Sequence, residues 1–299
     1  MRMTEPTMTS PEVLEARVAA DTVARARGLT VRLLTEPVEH REAEQLLSLI
    51  WRTDPGSPPV SGDLMRAFAH AGAYVAGAFL DGELVGVAAG FLAHHPGEVP
   101  CAELHSHITG VVPQVQGRQV GFALKLHQRA WALERGIEAI SWTFDPLVRR
   151  NAYFNLTKLG ARVSSYLVDF YGEMADGVNA GQGSDRLLVR WPLRAAQVVA
   201  AAAGEAPAPP EAKGVVLLDA DPDGKPRRHA PQAGGTFLCG VPDDVEALRR
   251  SDPALAQDWR HEVRAVLRTA LGDGGRVTGM TRAGWYVLTS ETTTDRETR

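Results

Sequence analysis

The sequence predicts an α/β (α+β) chain, with a sheet flanked by helices over residues 30–193 and a small α/β appendage over residues 215–290. Three observations carry that expectation. Strand-like and helix-like apolar periods follow one another in a definite order from Thr30 to Leu193; residues 107–122 change from extended to helical character in their middle; and an Ala/Pro/Gly-rich stretch, AAAGEAPAPPEAKG, sets the remainder apart.

Residues 1–10 are polar and expected to fray. Pro11 to Arg27 places Val13, Ala16, Ala20 and Val23 on one side of a leading helix within residues 1–29. Thr30 to Leu34 reads as a strand, and Val38 to Arg52 as a helix through Ala43, Leu46, Leu47 and Ile50. A loop follows, in which Ser61 or Asp63 caps a short helix carrying Leu64, Ala67 and Phe68. Ala73–Leu80 and Glu83–Ala93, joined at Asp81-Gly82, form a hairpin. Cys101 to Val112 is a further strand, ended by Pro113, which has no N–H to donate. A helix to Arg135 follows, with Val120, Leu124, His127 and Trp131 on one face and Ala123 and Ala130 beside them. The next strand is Ala139–Phe144, so strand, helix and strand here imply a right-handed crossover. Val148–Leu159 is a helix stopped by Gly160, and Arg162–Tyr171 and Arg186–Trp191 are strands.

Residues 194–214 read as a helix end and an Ala/Pro linker. In the appendage Phe237–Val241 and Trp285–Thr289 are strands, and Asp252-Pro253 opens a helix with Trp259, Val263, Val266, Leu267 and Leu271 on one face. The linker composition predicts that a chain ending near Arg194 folds alone. The polar tail, residues 291–299, is expected to be disordered.

Composition narrows the function. The 299 residues are 44% hydrophobic and 23% charged with net charge −4, and no basic patch interleaved with aromatics suggests nucleic acid as a partner. Two cysteines, Cys101 and Cys239, lie far apart, which fits a reducing compartment. No apolar run reaches membrane-helix length and no signal-peptide core opens the chain, so a cytoplasmic location is expected.

The stretch HITGVVPQVQGRQVGF, residues 107–122, leads a strand through a small turn into a helix, where unpaired N–H groups and the positive end of the helix dipole favour a phosphate. A Walker loop and a dinucleotide-binding fingerprint are both absent. Gly117 and Gly121 also read as an ordinary turn and a close-packing helix residue. The pattern V-x-P-x-x-Q-G-R-x-x-G resembles motif A of the GNAT N-acyltransferases, whose turn cradles the coenzyme A pyrophosphate. Gln119 stands where one family glycine is usual. NAYFNLTKLGA, Asn151 to Ala161, is similar to GNAT motif B, with Leu156 where many members carry a tyrosine that protonates the thiolate. Tyr153, Tyr166, Tyr171 or bulk water remain as substitutes. LHSHITGV, TFDP, NAYFNLTKLGA and NAGQGSDRLLV together resemble a bacterial GNAT branch with a C-terminal extension. The resemblance implies a mixed, mostly antiparallel twisted sheet and acetyl-CoA or another short acyl-CoA as cosubstrate. It also implies a small amine or amino-acid-like acceptor, direct attack, and coenzyme A contacts at Val111, Val112, Gln116, Gly117, Arg118, Gln119, Val120, Gly121, Phe122 and Asn151. A homodimer is compatible with the appendage. A protein that binds coenzyme A or a metabolite without turnover is the alternative.

Alternation along residues 103–109 places Glu103, His105, His107 and Thr109 on one face of the strand. Histidine has a pKa suited to taking a proton from an ammonium group, so His107, His105 and Glu103 are the candidate catalytic residues. Hydrogen-bonded sheet histidines are the structural alternative. Glu103, His105 and His107 also have spacing that two-apart metal ligands use, but the implied reaction needs no metal and none is expected. Asp145 before Pro146 reads as a helix cap, and Arg149 and Arg150 as surface arginines or anion contacts. Asn179, Ser184, Asp185 and Arg186 form a polar loop, with Arg186 the candidate for holding an acceptor carboxylate.

Overall fold

The computed structural model describes residues 10–54, 56–93, 103–174, 176–178, 181–205, 208–230 and 235–290. The expectations for Cys101, Asn179, residues 1–9 and the polar tail lie outside these. The chain divides into two compact units, Met1–Ser141 with Pro192–Ala195, and Trp142–Trp191 with Ala196–Arg299. The division does not follow the expected linker: residues 142–191 go with the C-terminal segment.

In the first unit the elements are α1 (Pro11–Arg25), β1 (Leu29–Leu33), α2 (Pro37–Trp51), α3 (Gly62–His70), β2 (Tyr74–Leu80), β3 (Glu83–Ala93), β4 (Glu103–Val111), α4 (Val120–Glu134) and the start of β5 (Ala139–Phe144). Its strands lie in the order β1-β2-β3-β4-β5, antiparallel except for the β4–β5 pair. The hairpin between β2 and β3 turns on Asp81 and Gly82, both at positive φ (51° and 87°), the conformation that matches the twist of paired strands. Ser61, one of the two expected caps, accepts a hydrogen bond from the Leu64 N–H and starts α3. Leu34, Ala43, Leu46, Leu47, Met65, Val75, Val87, Ala89 and Ile108 close one core between the sheet and α2 and α3. On the opposite face almost every side chain of α4 is buried.

The ladder between β3 and β4 slips by one residue: Ala89 pairs with Ile108, but Phe91 pairs with His105. One residue of β3 therefore faces two of β4, which is a β-bulge at Ser106–His107. Gly90 sits opposite. A Cβ there would come within 2.7 Å of the His105 carbonyl oxygen, so only glycine lets the strands close over the extra residue. Gly90→Ala is expected to destabilise the protein by about 1–3 kcal/mol through this overlap. An unchanged urea midpoint would count against it.

In the second unit the end of β5 is followed by α5 (Arg149–Ala152), a π-helical turn over Tyr153–Lys158, β6 (Arg162–Leu167), β7 (Arg186–Pro192) and α6 (Ala196–Ala202). Strand order here is β5-β7-β6. The expected α-helix over 148–159 is thus α-helical only at its start. The strand expected to reach Tyr171 ends at Leu167, because Asp169 adopts a left-handed φ of 48° and its N–H turns to the Asp185 carboxylate. A second sheet, ordered β11-β12-β10-β8-β9, is formed by β8 (Val215–Ala220), β9 (Pro226–Arg228), β10 (Thr236–Gly240), β11 (Arg276–Met280) and β12 (Trp285–Thr289). The helices α7 (Val245–Ser251) and α8 (Pro253–Gly272) accompany it, and the Asp252 side chain caps α8 by accepting from the Leu255 N–H, as its Asp-Pro start implies.

Candidate active site

The bulge decides which side chains of β4 meet. His105 and His107 both face Phe91, with ring centroids 5.4 and 5.9 Å from it and 6.4 Å from each other. Phe91 in turn packs on Phe68 of α3. Beyond the bulge the alternation is reversed. Ile108 enters the core beneath α2, and a Cβ on Gly110 would meet Trp51 and Ile50 on that same side. Val111 approaches Gly121 of α4 on the other face, so Thr109 parts from the two histidines. The expected four-residue polar face is therefore corrected to Glu103, His105 and His107.

Glu103 is buried, His105 half-buried and His107 exposed as a residue, although its ring lies against Phe91 and His105 and is partly shielded from water there. His105 Nδ1 lies 3.4 Å from Ser141 Oγ, on the β5 residue with which it pairs. Burial of the ring lowers the His107 pKa, which leaves the imidazole neutral at neutral pH. The β4–β5 ladder covers Glu103–His105 against Ala139–Ser141 and stops there. Ser106, within the bulge, points the other way and accepts a hydrogen bond of 2.9 Å from the ammonium of Lys125. Lys125 is buried in α4, which pushes its pKa down to about 7. The sequence reading passed over this lysine. Its only signal is a charge set between Leu124 and Leu126 on a largely buried helix. Among the described residues no group of three or more His, Cys, Asp or Glu side chains is placed to hold a metal ion.

Past β4, Pro113–Val115 make a single 3-10 turn and Gln116–Arg118 are exposed, while Val112 N–H bonds to Val85 and Val115 and Val120 bury their side chains. Gly117 has φ 86° with no atom within 4 Å of a would-be Cβ, so its backbone conformation selects glycine and the space around it is open. Gln119 caps α4 in the left-handed region, φ 63°, which explains why glycine is usual there. The helical ladder begins with Ala123 N–H to Gln119 C=O at 3.0 Å, so the N–H groups of Gln119, Val120 and Gly121 precede it at the positive end of α4. Gly121 would bring a Cβ no closer than 3.9 Å to Val111. The turn is thus open, with backbone donors at the positive end of α4 flanked by the buried side chains of Val115 and Val120.

Residues 37–160 match the family model for the Acetyltransferase (GNAT) family. This part of the chain is a GNAT acetyltransferase domain. The mixed, mostly antiparallel sheet flanked by helices is the fold expected of that family. No curated protein sequence matches the chain. Solved structures similar to it include an acetyltransferase from Salmonella typhimurium with its cofactor acetyl-CoA, at 17% identity and TM-score 0.44, covering 56% of this chain and 96% of that one. An N-acetyltransferase from Staphylococcus aureus is 12% identical, with TM-score 0.44 and coverage of 56% and 99%. An acetyltransferase of GNAT family from Streptococcus pneumoniae is 16% identical, with TM-score 0.42 and coverage of 54% and 98%.

The remaining candidates belong to the second unit. Asn151 is exposed on α5, its N–H donated to Val148 C=O at 2.9 Å. Leu156, at the usual tyrosine position of the GNAT domain, is buried. Of the possible substitutes, Tyr153 accepts from Arg282 Nε (3.2 Å), Tyr171 lies 3.4 Å from Thr143 Oγ1, and Tyr166 donates to Asp185 at 2.6 Å, where burial and that carboxylate raise its pKa. Arg186 is 6% exposed, donating to the Asp185 C=O (2.8 Å) and to Met174 Sδ (3.1 Å) beneath the Tyr171 ring. Arg149 pairs with Asp243 and Arg150 with Glu246; Arg150 is an exposed surface arginine, as expected, while Arg149 is half-buried.

Asp145 does cap locally, accepting from the Leu147 N–H at 2.9 Å, but its carboxylate also receives both Arg260 Nη atoms and one from Arg249. Burial alone would raise its pKa; the guanidinium charges of Arg260 and Arg249 outweigh that and hold it below the ordinary carboxylate value. Asp185 is clamped by Arg264 through two bonds of 2.8 Å. Arg260 carried a legible signal. It interrupts the apolar stripe Ala256, Val263, Val266, Leu267 of α8, and a charge in such a stripe needs a buried partner.

Proposed function

We propose that the protein is an acyl-CoA-dependent N-acyltransferase, with acetyl-CoA the simplest donor, acting on a small amine or amino-acid-like acceptor by direct attack. The observation that carries this reading is the open turn of Gln116–Phe122 placed at the end of a strand that presents a neutral His107. Val111, Val112, Gln116, Gly117, Arg118, Gln119, Val120, Gly121 and Phe122 contribute the donor site in this proposal: the backbone N–H groups of Gly117, Gln119, Val120 and Gly121 serve the pyrophosphate, Val111 and Val112 the strand edge, and Gln116, Arg118 and Phe122 shape the turn, with the Gln116 and Arg118 N–H groups donated to the Pro113 and Val115 carbonyls. His107 takes the amine proton as the nitrogen bonds the thioester carbonyl carbon and the C–S bond breaks; His105 and Glu103 orient the acceptor and the imidazole. With Leu156 unable to donate, the departing thiolate takes its proton from water. No metal has a part in it. Gln119 in a left-handed cap and Leu156 in place of an acid also suit a protein that binds coenzyme A without turnover, and a slow rate with tight binding would favour that second reading.

Gly121→Asp is expected to abolish measurable coenzyme A binding by calorimetry while the fold survives, because it sets a carboxylate where the pyrophosphate meets the helix. The space around Gly121 accommodates a side chain. Unchanged affinity in the folded variant would refute the donor site.

A further inference from the structure

Three guanidinium groups of the second unit gather around one carboxylate. Asp145 is contacted directly by Arg249 and Arg260, whose side chains are 8% and 0% exposed. Arg186 shares the same surroundings. Burial lowers its pKa, Asp145 and Tyr171 raise it, and Arg260 and Arg249 lower it. The second nearby carboxylate, Asp185, is already satisfied by Arg264, Tyr166 and the Asp169 N–H. Three positive charges therefore face a single negative one in a buried place. Two of them are also short of acceptors: the Nε atoms of Arg249 and Arg260 are buried and have no hydrogen-bond partner among the described residues. A third donor, Arg186 Nη2, is directed at a thioether sulfur, a weak acceptor that a carboxylate oxygen readily replaces. Buried charge without a counter-ion is costly, and such an arrangement is stabilised when an anion arrives.

We infer that Arg186, Arg249 and Arg260 bind the carboxylate of a small molecule, and that the C-terminal segment supplies two of its three donors. The inference goes beyond the acyltransferase reading and does not rest on it. The carboxylate is that of a free amino acid or of a succinyl thioester. Arg186 is the residue to vary, since it does not bond Asp145 and its loss leaves that buried pair intact.

The test measures equilibrium binding to the full chain by calorimetry. One arm compares the common amino acids, each against its own carboxamide; the other compares succinyl-CoA with acetyl-CoA. In one arm the carboxylate member is expected to bind about 10–100-fold more tightly, the range for a charge-assisted contact. Arg186→Gln should remove that preference, and Arg186→Lys should restore part of it, since the charge returns without the fork. Melting curves establish that both variants are folded. A wild-type protein with no preference in either arm would overturn the inference, as would a preference untouched in Arg186→Gln. Coenzyme A itself is titrated in the same preparation: failure to bind it would refute the acyltransferase reading, while the amino acid arm would still decide the carboxylate site.

Discussion

His107→Ala is expected to lower acyl transfer by about 10²–10⁴-fold, the range for losing a general base, without changing affinity for coenzyme A. The expectation rests on the packing of His107 beside Phe91 and His105, while the bulge of β4 parts Thr109 from them. The pH profile gives the sharper signature. Burial lowers the His107 pKa, so the imidazole is already neutral below the ordinary histidine value. The wild-type rate should therefore hold from pH 9 down through about 6.5 and fall only in more acidic buffer. That acid limb should vanish in His107→Ala. His105→Ala should act more on acceptor affinity, and Glu103→Gln should matter chiefly through the histidines. A normal rate with an unshifted profile in both histidine variants would sink the assignment, leaving an amine that arrives neutral.

Arg260→Ala is expected to cost about 3–5 kcal/mol of stability, because it strips a buried carboxylate of its bidentate partner. Asp145 would keep Arg249 and the Leu147 N–H, which do not replace a two-pronged contact. A chain ending near Arg194 loses Arg249, Arg260 and Arg264 together and should show no cooperative melt, the opposite of what the linker composition suggests. The pH dependence has a definite sign. The folded-state pKa of Asp145 lies below the ordinary aspartate value, so its contribution is complete above about pH 4 and is lost as pH falls through the lowered value. Arg260→Ala should flatten that part of the acid denaturation curve. A truncated chain that melts cooperatively near the full-length temperature would show that residues 142–191 hold together without the C-terminal segment.

Local rules made most of the scaffold legible. Glu83–Ala93 and Ala139–Phe144 have the bounds their apolar periods imply, and Asp81-Gly82 and Asp252-Pro253 state a turn and a helix start in two residues each. The bulge in β4 was not legible, since nothing in residues 103–109 distinguishes an extra residue from plain alternation. Its trace is Gly90, a glycine on a different strand, whose meaning depends on a register that only pairing reveals. Asp145 looked like a helix cap because its capping bond is local, whereas its arginines lie 104 and 115 residues away. The π-helical turn has a similar origin: Thr157 exchanges hydrogen bonds with Met280, and no helical period in residues 148–159 announces a partner so far along the chain.

The division of the chain also bears on how it emerges from the ribosome. Passing from residue 141 to 142, from 191 to 192 and from 195 to 196, the polypeptide changes unit three times. Asp145 is synthesised 115 residues before Arg260, a delay of roughly 6–23 s at ordinary translation rates. During that interval the nascent chain carries β5, β6 and β7 with a carboxylate whose buried counter-charges do not yet exist. The early part of this unit is thus a waiting intermediate, exposed to chaperones and proteases until α8 has been made. Synonymous codon changes that slow elongation between residues 196 and 260 would lengthen that exposure and lower soluble yield, although the finished protein would be identical.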